Sequence, residues 1–518
     1  PDYFANSINI HNIIDRESAL KIWLDKNINK SSNYLSNVEL GKVFHSRFYY
    51  DKYYSLETFG RNRLNHVLGR NSKELHLEIE DVINAYKILI KVINGERPLD
   101  DIDSMLHRRI RSIGEILDNF VHSGLIQVDK KIKDRMHRID IKNSKNKITD
   151  IINFKPCSKL IHDFFKLHNL SQLLDESNAL SRLIHQRKLS LVGRGGIGGP
   201  NKEFIMSQIR DIHTSEYGRI CAIQSPEGQN IGLIKHLAIY SKIDKDGNIL
   251  APLYEVKNGK IIKEVKYLSP LEEVDKIIAS REDVHVVDGE EVLKNDFILC
   301  RKNGDIFFFH KNYINYIEIA NNQIVSLSVS LIPFIGNNDP YRALTASNMN
   351  NQAVPLITTE APMIGTGFEK LIIEPIISKY DGVVRMVDSG RIVIESFDNE
   401  SVVEVYKLTV NKKTNNETCI IETPIVKIGD IIKAGQIIAD SFCSKDGQLN
   451  IKKNLLILYQ SHPFCYEDAI VIGDQLIKND TMSSYIIHKM EVQIQDTKLG
   501  LEENTRDIPG VPDTILAK

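Results

Sequence analysis

The stretch YGRICAIQSPEGQNIGL, Tyr217 to Leu233, places an apolar run directly before a turn that is rich in polar side chains. Pro226 fixes one backbone angle, and Gly228 can adopt conformations that other residues avoid, so the turn can hold its side chains in one arrangement. The turn presents the carboxylate of Glu227 and the amide of Asn230 together. Two interpretations stay open: a solvated hairpin between two strands, or a turn that offers polar groups to a ligand.

Length and composition limit the possible classes of protein. The chain has 518 residues, 42% of them hydrophobic, so we expect roughly three or four domains. The formal net charge of -2 shows no overall basic excess, so any nucleic-acid binding depends on local clusters. The six cysteines include no C-x-x-C pair, which disfavours a zinc ribbon or disulfide framework and indicates a reducing compartment. The sequence has no apolar run of the roughly 18 to 20 residues that a membrane span requires.

An arginine cluster follows a predicted helix in the first part of the chain. Residues Leu75 to Gly95 have apolar side chains at helical spacing and end on a glycine, which predicts a helix. After acidic residues at 100, 101 and 103, the cluster precedes an amphipathic helix that we predict to run through roughly Ser123. The cluster comprises Arg108, Arg109 and Arg111. These side chains can contact phosphates, because the guanidinium fork matches phosphate oxygens, or they can pair with the preceding aspartates.

A second basic segment runs from Phe164 to Arg194. Its polar residues surround a predicted helix and the turn after it; they are Gln172, Asp175, His185, Arg187, Lys188 and Ser190. They can line a polar groove, although leucines at this spacing are also typical of an ordinary amphipathic helix. The loop GRGGIGG, residues 193–199, lacks the Lys-Ser/Thr ending of a phosphate-binding P-loop. We therefore interpret it as a mobile loop, and a nucleotide enzyme that uses it is disfavoured.

The second half of the sequence has mainly β patterns. Residues from about 236 to 335 alternate apolar and polar side chains with repeated turns, which predicts an antiparallel β module. A polar stretch after Pro340 is followed by a further β-rich segment with predicted hairpin turns at Gly429 and Gly435. Near residue 467, FCYEDAIVI sets two acids before an apolar run. Adjacent acids on a strand point to opposite faces, so adjacency alone predicts no metal site.

Seven segments, taken in order, resemble signatures of the β (second-largest) subunit of multisubunit DNA-directed RNA polymerase. They extend from about residue 45 to 511 in the order of the family, and an ordered series of long matches is hard to obtain by chance. The segments are DDIDSMLHRRIRSIGE, LSQLLDESNALSRLIHQRKLS, RDIHTSEYGRICAIQSPEGQNIGL, YRALTASNMNNQAVPL, GTGFE, YEDAIVI and DTKLGLEENTRDIP.

The resemblance implies an α+β multidomain chain: a mixed helical fork and lobe region, then antiparallel β modules, with an incomplete double-psi-barrel-associated region. It divides the chain into the end of the protrusion and lobe (1–98), the fork and RNA-path region (99–235), an external β-rich module (236–338), and the start of the hybrid-binding region, truncated near the flap (339–518). We expect an internal fragment of β or the product of a split gene.

The resemblance also assigns functional residues. The turn with Glu227 and Asn230 would stand beside nascent RNA, and the segment from Gln172 to Ser190 resembles the rifamycin pocket on that RNA path. Residues Asn348 and Gln352 match polar residues of the same surface.

Three residues match catalytic positions of the family. Arg342 matches an arginine that approaches the phosphates of the incoming nucleotide. Glu467 and Asp468 match an acidic pair near the second, nucleotide-borne magnesium. The arginines at 108, 109 and 111 are assigned to DNA binding.

Cofactor and partners follow from the same resemblance. The sequence has no NADFDGD-like run, the motif by which the β′ subunit holds the catalytic magnesium in this family. We therefore expect Mg²⁺ to be held mainly by β′, no metal to be held by this chain alone, and no RNA synthesis without partners. The implied partners are β′, the α dimer, a sigma-type factor, the DNA template, nascent RNA and nucleoside triphosphates, with no membrane. A non-catalytic nucleic-acid-binding or scaffold protein of the same architecture is the alternative.

One loop departs from the family pattern. Where the family usually reads GPGGL followed by Thr-Arg-Glu-Arg, this chain reads GRGGI followed by Gly198, Gly199, Pro200 and Asn201. Gly199 replaces an arginine at the pocket edge, so we expect rifamycin binding that is weakened about tenfold but still present. The segments HQRKLS and FFKLHNLSQLLD resemble plastid members of the family more than bacterial ones. Together with the abundance of Asn, Lys and Ile, this resemblance favours a plastid as the location, with a bacterial cytoplasm as the alternative.

Overall fold

The computed structural model describes residues 15–28, 37–49, 55–137, 152–192, 207–287, 290–397, 403–498, 500–503 and 505–516. The chain separates into two compact units, Pro1–His107 and Arg108–Lys518. The first unit is helical where it is described, and the second combines helices with mainly antiparallel sheets. This arrangement confirms the α+β, multidomain class. The division into four parts at residues 98, 235 and 338 stays a prediction.

The first unit contains four described helices: α1 (Arg16–Ile28), α2 (Asn37–Tyr49), α3 (Glu57–Leu68) and α4 (Ile79–Ile93). Helix α4 confirms the helix predicted within residues 75–95. A buried ion pair joins α3 to α4, with Arg61 Nη1 2.8 Å from Asp81 Oδ2. Burial acts to raise the pKa of Asp81, but hydrogen bonds from the main chain of Glu78 and from Arg61 outweigh it and lower the pKa. The carboxylate therefore stays ionised inside this pair.

The second unit begins with a pair of packed helices. Its helices are α5 (Ile113–Met136), α6 (Lys155–Leu167), α7 (Ala179–Gln186), α8 (Pro270–Glu273), α9 (Leu327–Ser330), α10 (Pro340–Gln352), α11 (Asp474–Lys478) and α12 (Asp513–Leu516). Ser112 caps α5 by accepting a hydrogen bond from the main-chain nitrogen of Glu115, and α5 continues well beyond the predicted end at residue 123. Helices α5 and α6 approach closely because Gly124 has no side chain: a Cβ there would lie 2.9 Å from Cys157 Cα.

A nine-stranded sheet fills the predicted β module. Its strands are β3 (Lys242–Ile243), β4 (Ile249–Lys257), β5 (Lys260–Leu268), β6 (Ile278–Ala279), β7 (Val284–Val287), β8 (Glu290–Leu293), β9 (Phe297–Lys302), β10 (Asp305–His310) and β11 (Tyr316–Glu318). The order is β10-β9-β6-β11-β4-β5-β8-β7, with β3 beside β4. Ile298 and Cys300 alternate inward from β9 and, with Ile317, form the buried core. The antiparallel β pattern predicted within residues 236–335 is confirmed for the strands from Lys242 to Glu318, apart from the parallel pair β6 and β11, and the bounds of the module stay a prediction.

Shorter strands follow in the last third of the chain. They are β12 (Ile376–Ile377), β13 (Gly382–Val387), β14 (Arg391–Ser396), β15 (Val403–Lys407), β16 (Lys412–Lys413), β17 (Cys419–Ile420), β18 (Thr423–Pro424), β19 (Ile431–Ile432), β20 (Ile437–Asp440), β21 (Ser444–Lys445), β22 (Gln448–Leu449), β23 (Asp496–Thr497) and β24 (Gly500–Leu501). Val384, Ile392 and Ile438 form a buried core among them. Gly429 and Gly435 have φ values of 93° and 83°, which confirms turns at both positions. The prediction that these are hairpin turns is wrong, because the strands on either side of each turn, β18 and β19 or β19 and β20, belong to different sheets.

The acidic pair at 467 and 468 and the apolar run that follows it lie in an irregular segment. Residues 454–472 form no helix or strand. A strand needs a neighbour to pair its main-chain groups, and the described residues provide none for this segment. Its large apolar side chains are exposed, with Tyr459 and Tyr466 accessible over 90% and 89% of their surface.

Candidate nucleic-acid interface

Three segments that are distant in sequence meet around a polar cavity of about 510 Å³. We call it the central cavity. The lining residues predicted from the sequence are Gln172, Asp175, His185, Lys188, Glu227, Asn348 and Gln352. The lining residues that sequence reasoning missed are Ser181, Ile184, Pro226, His236 and Asn351. The structure thus brings the Gln172–Lys188 segment, the polar turn and α10 to one site.

Asn178 fixes α7 against the end of α10. It is fully buried, and its side-chain oxygen caps α7 by accepting a hydrogen bond from Ser181 N at 2.8 Å. Its Nδ2 donates to the main-chain carbonyls at the end of α10, at 3.3 Å from Asn350 O, 3.1 Å from Asn351 O and 2.7 Å from Ala353 O. One side chain therefore satisfies groups that would otherwise be orphaned at two helix ends. It holds the two helical walls of the cavity in register.

His185 links α7 to the loop before it. Its Nδ1 accepts a hydrogen bond from Asp175 N at 2.9 Å, and its Nε2 lies 3.0 Å from Gln172 Oε1. This network assigns the proton to Nε2, because Nδ1 must be the acceptor. Burial and the nearby charge of Lys188 lower the pKa of His185, and Asp175 acts in the opposite direction. The ring is therefore neutral near pH 7 and orders this loop.

Two short antiparallel strands, β1 (Lys188–Ser190) and β2 (Ile234–His236), form the back of the cavity. They place Lys188 opposite His236. Beside them Lys235 is buried, and its Nζ donates to both carboxylate oxygens of Glu216 at 2.7 and 2.9 Å. Successive side chains on a strand point to opposite faces, so Lys235 points away from the cavity that the next residue, His236, lines. The ion pair of Lys235 with Glu216 therefore anchors the face of β2 opposite to the cavity.

Hydrogen bonds hold the polar turn in place. Asn348 Nδ2 donates to Ser225 O at 3.2 Å, which ties α10 to the start of the turn. Arg210 Nη1 donates to Gln229 O and Ile231 O, both at 2.7 Å, which closes its far side. An antiparallel bridge joins Ile220 to Leu237 and closes the loop that contains the turn, so both interpretations, a solvated hairpin and a turn that offers polar groups to a ligand, stay open.

A buried arginine joins this loop to the nine-stranded sheet. Arg219 is 1% exposed, and its guanidinium donates to Ile249 O at 2.9 Å and Leu268 O at 3.1 Å. Burial lowers the pKa of Arg219, and an ion pair with Glu273 opposes that shift. The sheet therefore serves as a fixed base for the polar turn.

The polar loop between β16 and β17 also supports the cavity, which the sequence did not indicate. Asn416 Oδ1 accepts from Glu176 N at 2.9 Å, and Asn415 Nδ2 donates to Leu174 O at 3.0 Å. Thr418 Oγ1 donates to Glu176 O at 3.1 Å. Asparagine-rich stretches are common in solvated loops, so only the tertiary contacts reveal this role.

Three predicted path residues do not line the cavity. Arg187 Nη2 donates to Ala238 O at 2.6 Å, and burial lowers its pKa. Ser190 is exposed, and its hydroxyl donates to Val192 O at 3.1 Å. Asn230 is half-buried at the end of the turn. Their assignment to the RNA path stays a prediction, as does the loss of the pocket-edge arginine at Gly199, because residues 193–206 lie outside the described residues.

The predicted catalytic residues lie away from the cavity lining. Arg342 is exposed in the first turn of α10, and the described residues provide no hydrogen bond or ion pair to it. Glu467 and Asp468 are exposed, and Glu467 has a φ of 55°. Within the described ranges, no three His, Cys, Asp or Glu side chains form a metal-binding group. Mg²⁺ demands octahedral oxygen ligands, so these two acids do not make a complete site by themselves.

The arginine cluster forms ion pairs with two acids that follow it in the sequence, Glu115 and Glu216. Arg109 forms a two-pronged ion pair with Glu115, with both N–O distances at 2.7 Å. Arg111 Nε lies 3.5 Å from the same carboxylate, and Arg108 Nη1 lies 4.0 Å from Glu216. The side-chain hydrogen bonds and the charges of both arginines lower the pKa of Glu115, while burial opposes them. DNA contact by this cluster stays a prediction.

The chemistry of the central cavity is that of a binding surface. Four carboxamides, one lysine, two carboxylates and two histidines line it. Carboxamides both donate and accept hydrogen bonds, and a lysine attracts phosphate, as recognition of single-stranded nucleic acid requires. No described helix has the length and apolar character that would let it cross a bilayer.

Comparisons with known proteins identify the family of the chain. Family models match in four places: RNA polymerase Rpb2, domain 2 at residues 3–111; RNA polymerase Rpb2, domain 3 at 172–243; the RNA polymerase beta subunit external 1 domain at 253–320; and RNA polymerase Rpb2, domain 6 at 377–518. The domain 3 match covers two of the three segments that line the central cavity.

Curated relatives carry the name DNA-directed RNA polymerase subunit beta. The chain is 37% identical to the protein of Bartonella bacilliformis over 92% of this chain and 35% of the relative. It is 37% identical to the protein of Rickettsia canadensis over 93% of this chain and 36% of the relative. It is 38% identical to the protein of Caulobacter sp. strain K31 over 92% of this chain and 35% of the relative. The chain therefore belongs to the β-subunit family of DNA-directed RNA polymerases, and it spans about a third of the length of these relatives.

Proposed function

We propose that this chain is part of the β subunit of a DNA-dependent RNA polymerase, in which it lines the path of the RNA and the RNA–DNA hybrid and borders the incoming-nucleotide site. The observation that carries the proposal is the central cavity. It joins Lys188, Glu227 and Gln352, from three segments that a hydrogen-bonded frame holds together.

The residue types suit templated RNA synthesis. Nucleotidyl transfer depends on alignment of the reactants and on neutralisation of phosphate charge more than on a protein nucleophile. The carboxamides and the lysine of the central cavity bind and orient the transcript, and the exposed Arg342 binds nucleotide phosphates. Mg²⁺ is held mainly by the β′ subunit, and Glu467 and Asp468 lie near the nucleotide-borne ion in the assembled enzyme.

The partners in this proposal are β′, the α dimer and a sigma-type factor, together with template DNA, nascent RNA and nucleoside triphosphates. The location is a plastid, with a bacterial cytoplasm as the alternative. The relatives are bacterial, so support for the plastid comes from the abundance of Asn, Lys and Ile in the sequence.

Reconstitution tests the proposal. We expect the purified chain alone to incorporate no nucleotides on a template, and to support incorporation when it is combined with the remaining β polypeptide, β′ and α. A chain with Lys188→Met and Glu227→Gln should assemble but retain RNA poorly. Templated synthesis by the chain alone would contradict the dependence on partners. Normal RNA retention by the double variant would contradict the role of the cavity.

Rifamycin titration gives an independent readout of the same surface. The reconstituted enzyme should bind the drug about tenfold more weakly than enzymes that keep the pocket-edge arginine, in line with the loss of one hydrogen-bond donor. Ser190→Leu should weaken binding further, because it removes an exposed hydroxyl and adds bulk. If the reconstituted enzyme does not bind the drug and Ser190→Leu changes nothing, Ser190 does not belong to a drug pocket.

A further inference from the structure

His236 has one buried ring nitrogen without a hydrogen-bond partner among the described residues. It is 6% exposed and lines the cavity. Its Nδ1 is buried and has no hydrogen-bond partner within the described part of the chain. Buried polar atoms in native proteins are nearly always paired, so an unpaired one beside a cavity indicates that something entering the cavity completes it.

The surroundings of His236 keep its ring neutral. Burial lowers its pKa to about 4, the charge of Lys188 and the ring of His185 act in the same direction, and a hydrogen bond with the main chain of Gln224 opposes them. A neutral imidazole has one N–H donor and one nitrogen acceptor. The cavity therefore contains a ring nitrogen that can accept a hydrogen bond from a ligand at physiological pH.

The register of β1 and β2 sets this acceptor beside a positive charge. Lys188 lies directly opposite His236 across the strand pair, and directly opposed side chains lie about 5 Å apart at Cβ. Lys188 has no ion-pair partner within the described residues, so its ammonium group can bind an anion. A cation and a neutral acceptor at this spacing match a phosphate and a neighbouring hydroxyl of one sugar-phosphate unit.

We propose that His236 accepts a hydrogen bond from a ribose 2′-hydroxyl of the bound transcript while Lys188 binds the adjacent phosphate, so that this strand pair distinguishes RNA from DNA. The inference rests on the proposed function, since it assigns to the cavity a preference among nucleic acids. The 2′-hydroxyl is the group by which a protein distinguishes RNA from DNA at a single site, because it is a hydrogen-bond donor that deoxyribose lacks.

The test uses the assembled polymerase that contains this chain, bound to a template with an RNA strand of fixed length. One ribonucleotide at a time is replaced by its 2′-deoxy counterpart, and the half-life of RNA retention is measured at constant salt. With the natural chain, we expect one position at which the deoxy substitution shortens the half-life about fivefold, the effect of one lost hydrogen bond. A flat profile, with no sensitive position, would overturn the inference.

Three substitutions at one position identify the group responsible. His236→Leu removes both nitrogens and should erase the penalty at the sensitive position while leaving other positions unchanged. His236→Asn and His236→Gln place an amide near Nδ1 and Nε2 respectively, and one of them should restore the penalty. Should leucine prevent assembly, His236→Phe keeps the ring without nitrogens and replaces it in the comparison. An unchanged penalty in the Leu or Phe variant would contradict the proposal.

Lys188→Met separates this inference from the proposed function. If Lys188→Met weakens RNA retention at every sugar composition but His236→Leu leaves the deoxy profile intact, only the role of His236 is wrong. If neither variant, nor Glu227→Gln, alters RNA retention, the cavity does not line the RNA path and the proposed function fails as well.

Discussion

The central cavity and the segment from Asn454 to Ile472 both carry residues predicted to act in RNA synthesis, but they differ in how their polar groups are supported. Around the cavity, Asn178, His185 and Asn348 each join two segments by hydrogen bonds. In the segment, Glu467 and Asp468 are exposed, and their neighbours form no helix or strand.

One polypeptide thus contains a hydrogen-bonded binding wall and, in a different segment, an exposed acidic pair that lacks such support among the described residues. A cavity wall needs only side chains that fix one another. A metal-binding acid needs further ligands, which the described residues do not supply at this pair.

Asn178→Ala should reduce the free energy of unfolding by about 3 kcal/mol or more. It removes the cap of α7 and the side-chain donor to the main-chain carbonyls of Asn350, Asn351 and Ala353 at the half-buried end of α10. The matched change Asn479→Ala, at the exposed end of α11, should cost less than about 0.5 kcal/mol. Denaturant unfolding of the full chain measures both. Equal losses would show that the cavity frame is no better supported than the exposed segment.

His236 should make stability depend on pH. Its pKa is about 4 in the folded chain, against 6.5 for the ordinary value, so the unfolded chain binds the proton first as the pH falls. This difference in pKa contributes about 3 kcal/mol to the free energy of unfolding. The contribution is complete above pH 6.5 and is lost as the pH falls from 6.5 to 4. His236→Asn should remove that part of the pH dependence, and His122→Asn, at an exposed position of α5, is the control. An identical pH profile in natural and His236→Asn chains would contradict the buried, neutral ring.

Arg342→Ala should weaken nucleotide use by the assembled enzyme by about 1–3 kcal/mol, the range for a lost charge-assisted hydrogen bond. Assembly should be unaffected, because the side chain is exposed and pairs with nothing in the described structure. Arg16→Ala, on exposed α1, serves as the matched control. The concentration of nucleoside triphosphate that gives half-maximal incorporation is the readout. No difference between the two variants would remove Arg342 from the nucleotide site.

Replacing Glu467 and Asp468 together by alanine should change the free energy of unfolding of the isolated chain by less than about 0.5 kcal/mol, since both side chains are exposed. The same pair of substitutions should lower nucleotide incorporation in the assembled enzyme. Calorimetry of the chain and incorporation by the complex are measured on one preparation. A large loss of stability would mean that the acids have a structural role within this chain.

Part of the site could be predicted from the sequence. The ordered motifs identified Gln172, His185 and Glu227, and the structure collects them at one cavity. Asn178 has a recognisable signal, since an asparagine directly before a periodic apolar run is a typical helix cap. That signal alone would have placed the start of α7.

Other features depend on tertiary contacts that no local pattern contains. His236 lies on a three-residue strand, where alternation is too short to reveal which face is buried. The loop from Asn415 to Thr418 resembles any polar loop in sequence, yet it contacts residues about 240 positions earlier. The apolar run after Asp468 forms no strand, because a strand requires a neighbour to pair with and the described residues provide none there.

Photocrosslinking from the transcript tests the central claim most directly. A photoreactive nucleotide is placed at successive positions of the RNA in the assembled polymerase, and the crosslinked peptides are mapped. The account predicts crosslinks to peptides that contain Lys188 or Glu227 from a narrow range of RNA positions, with loss of the Lys188 crosslink in the Lys188→Met variant. Crosslinks that map only to other parts of this chain or to other subunits, at every RNA position, would contradict it.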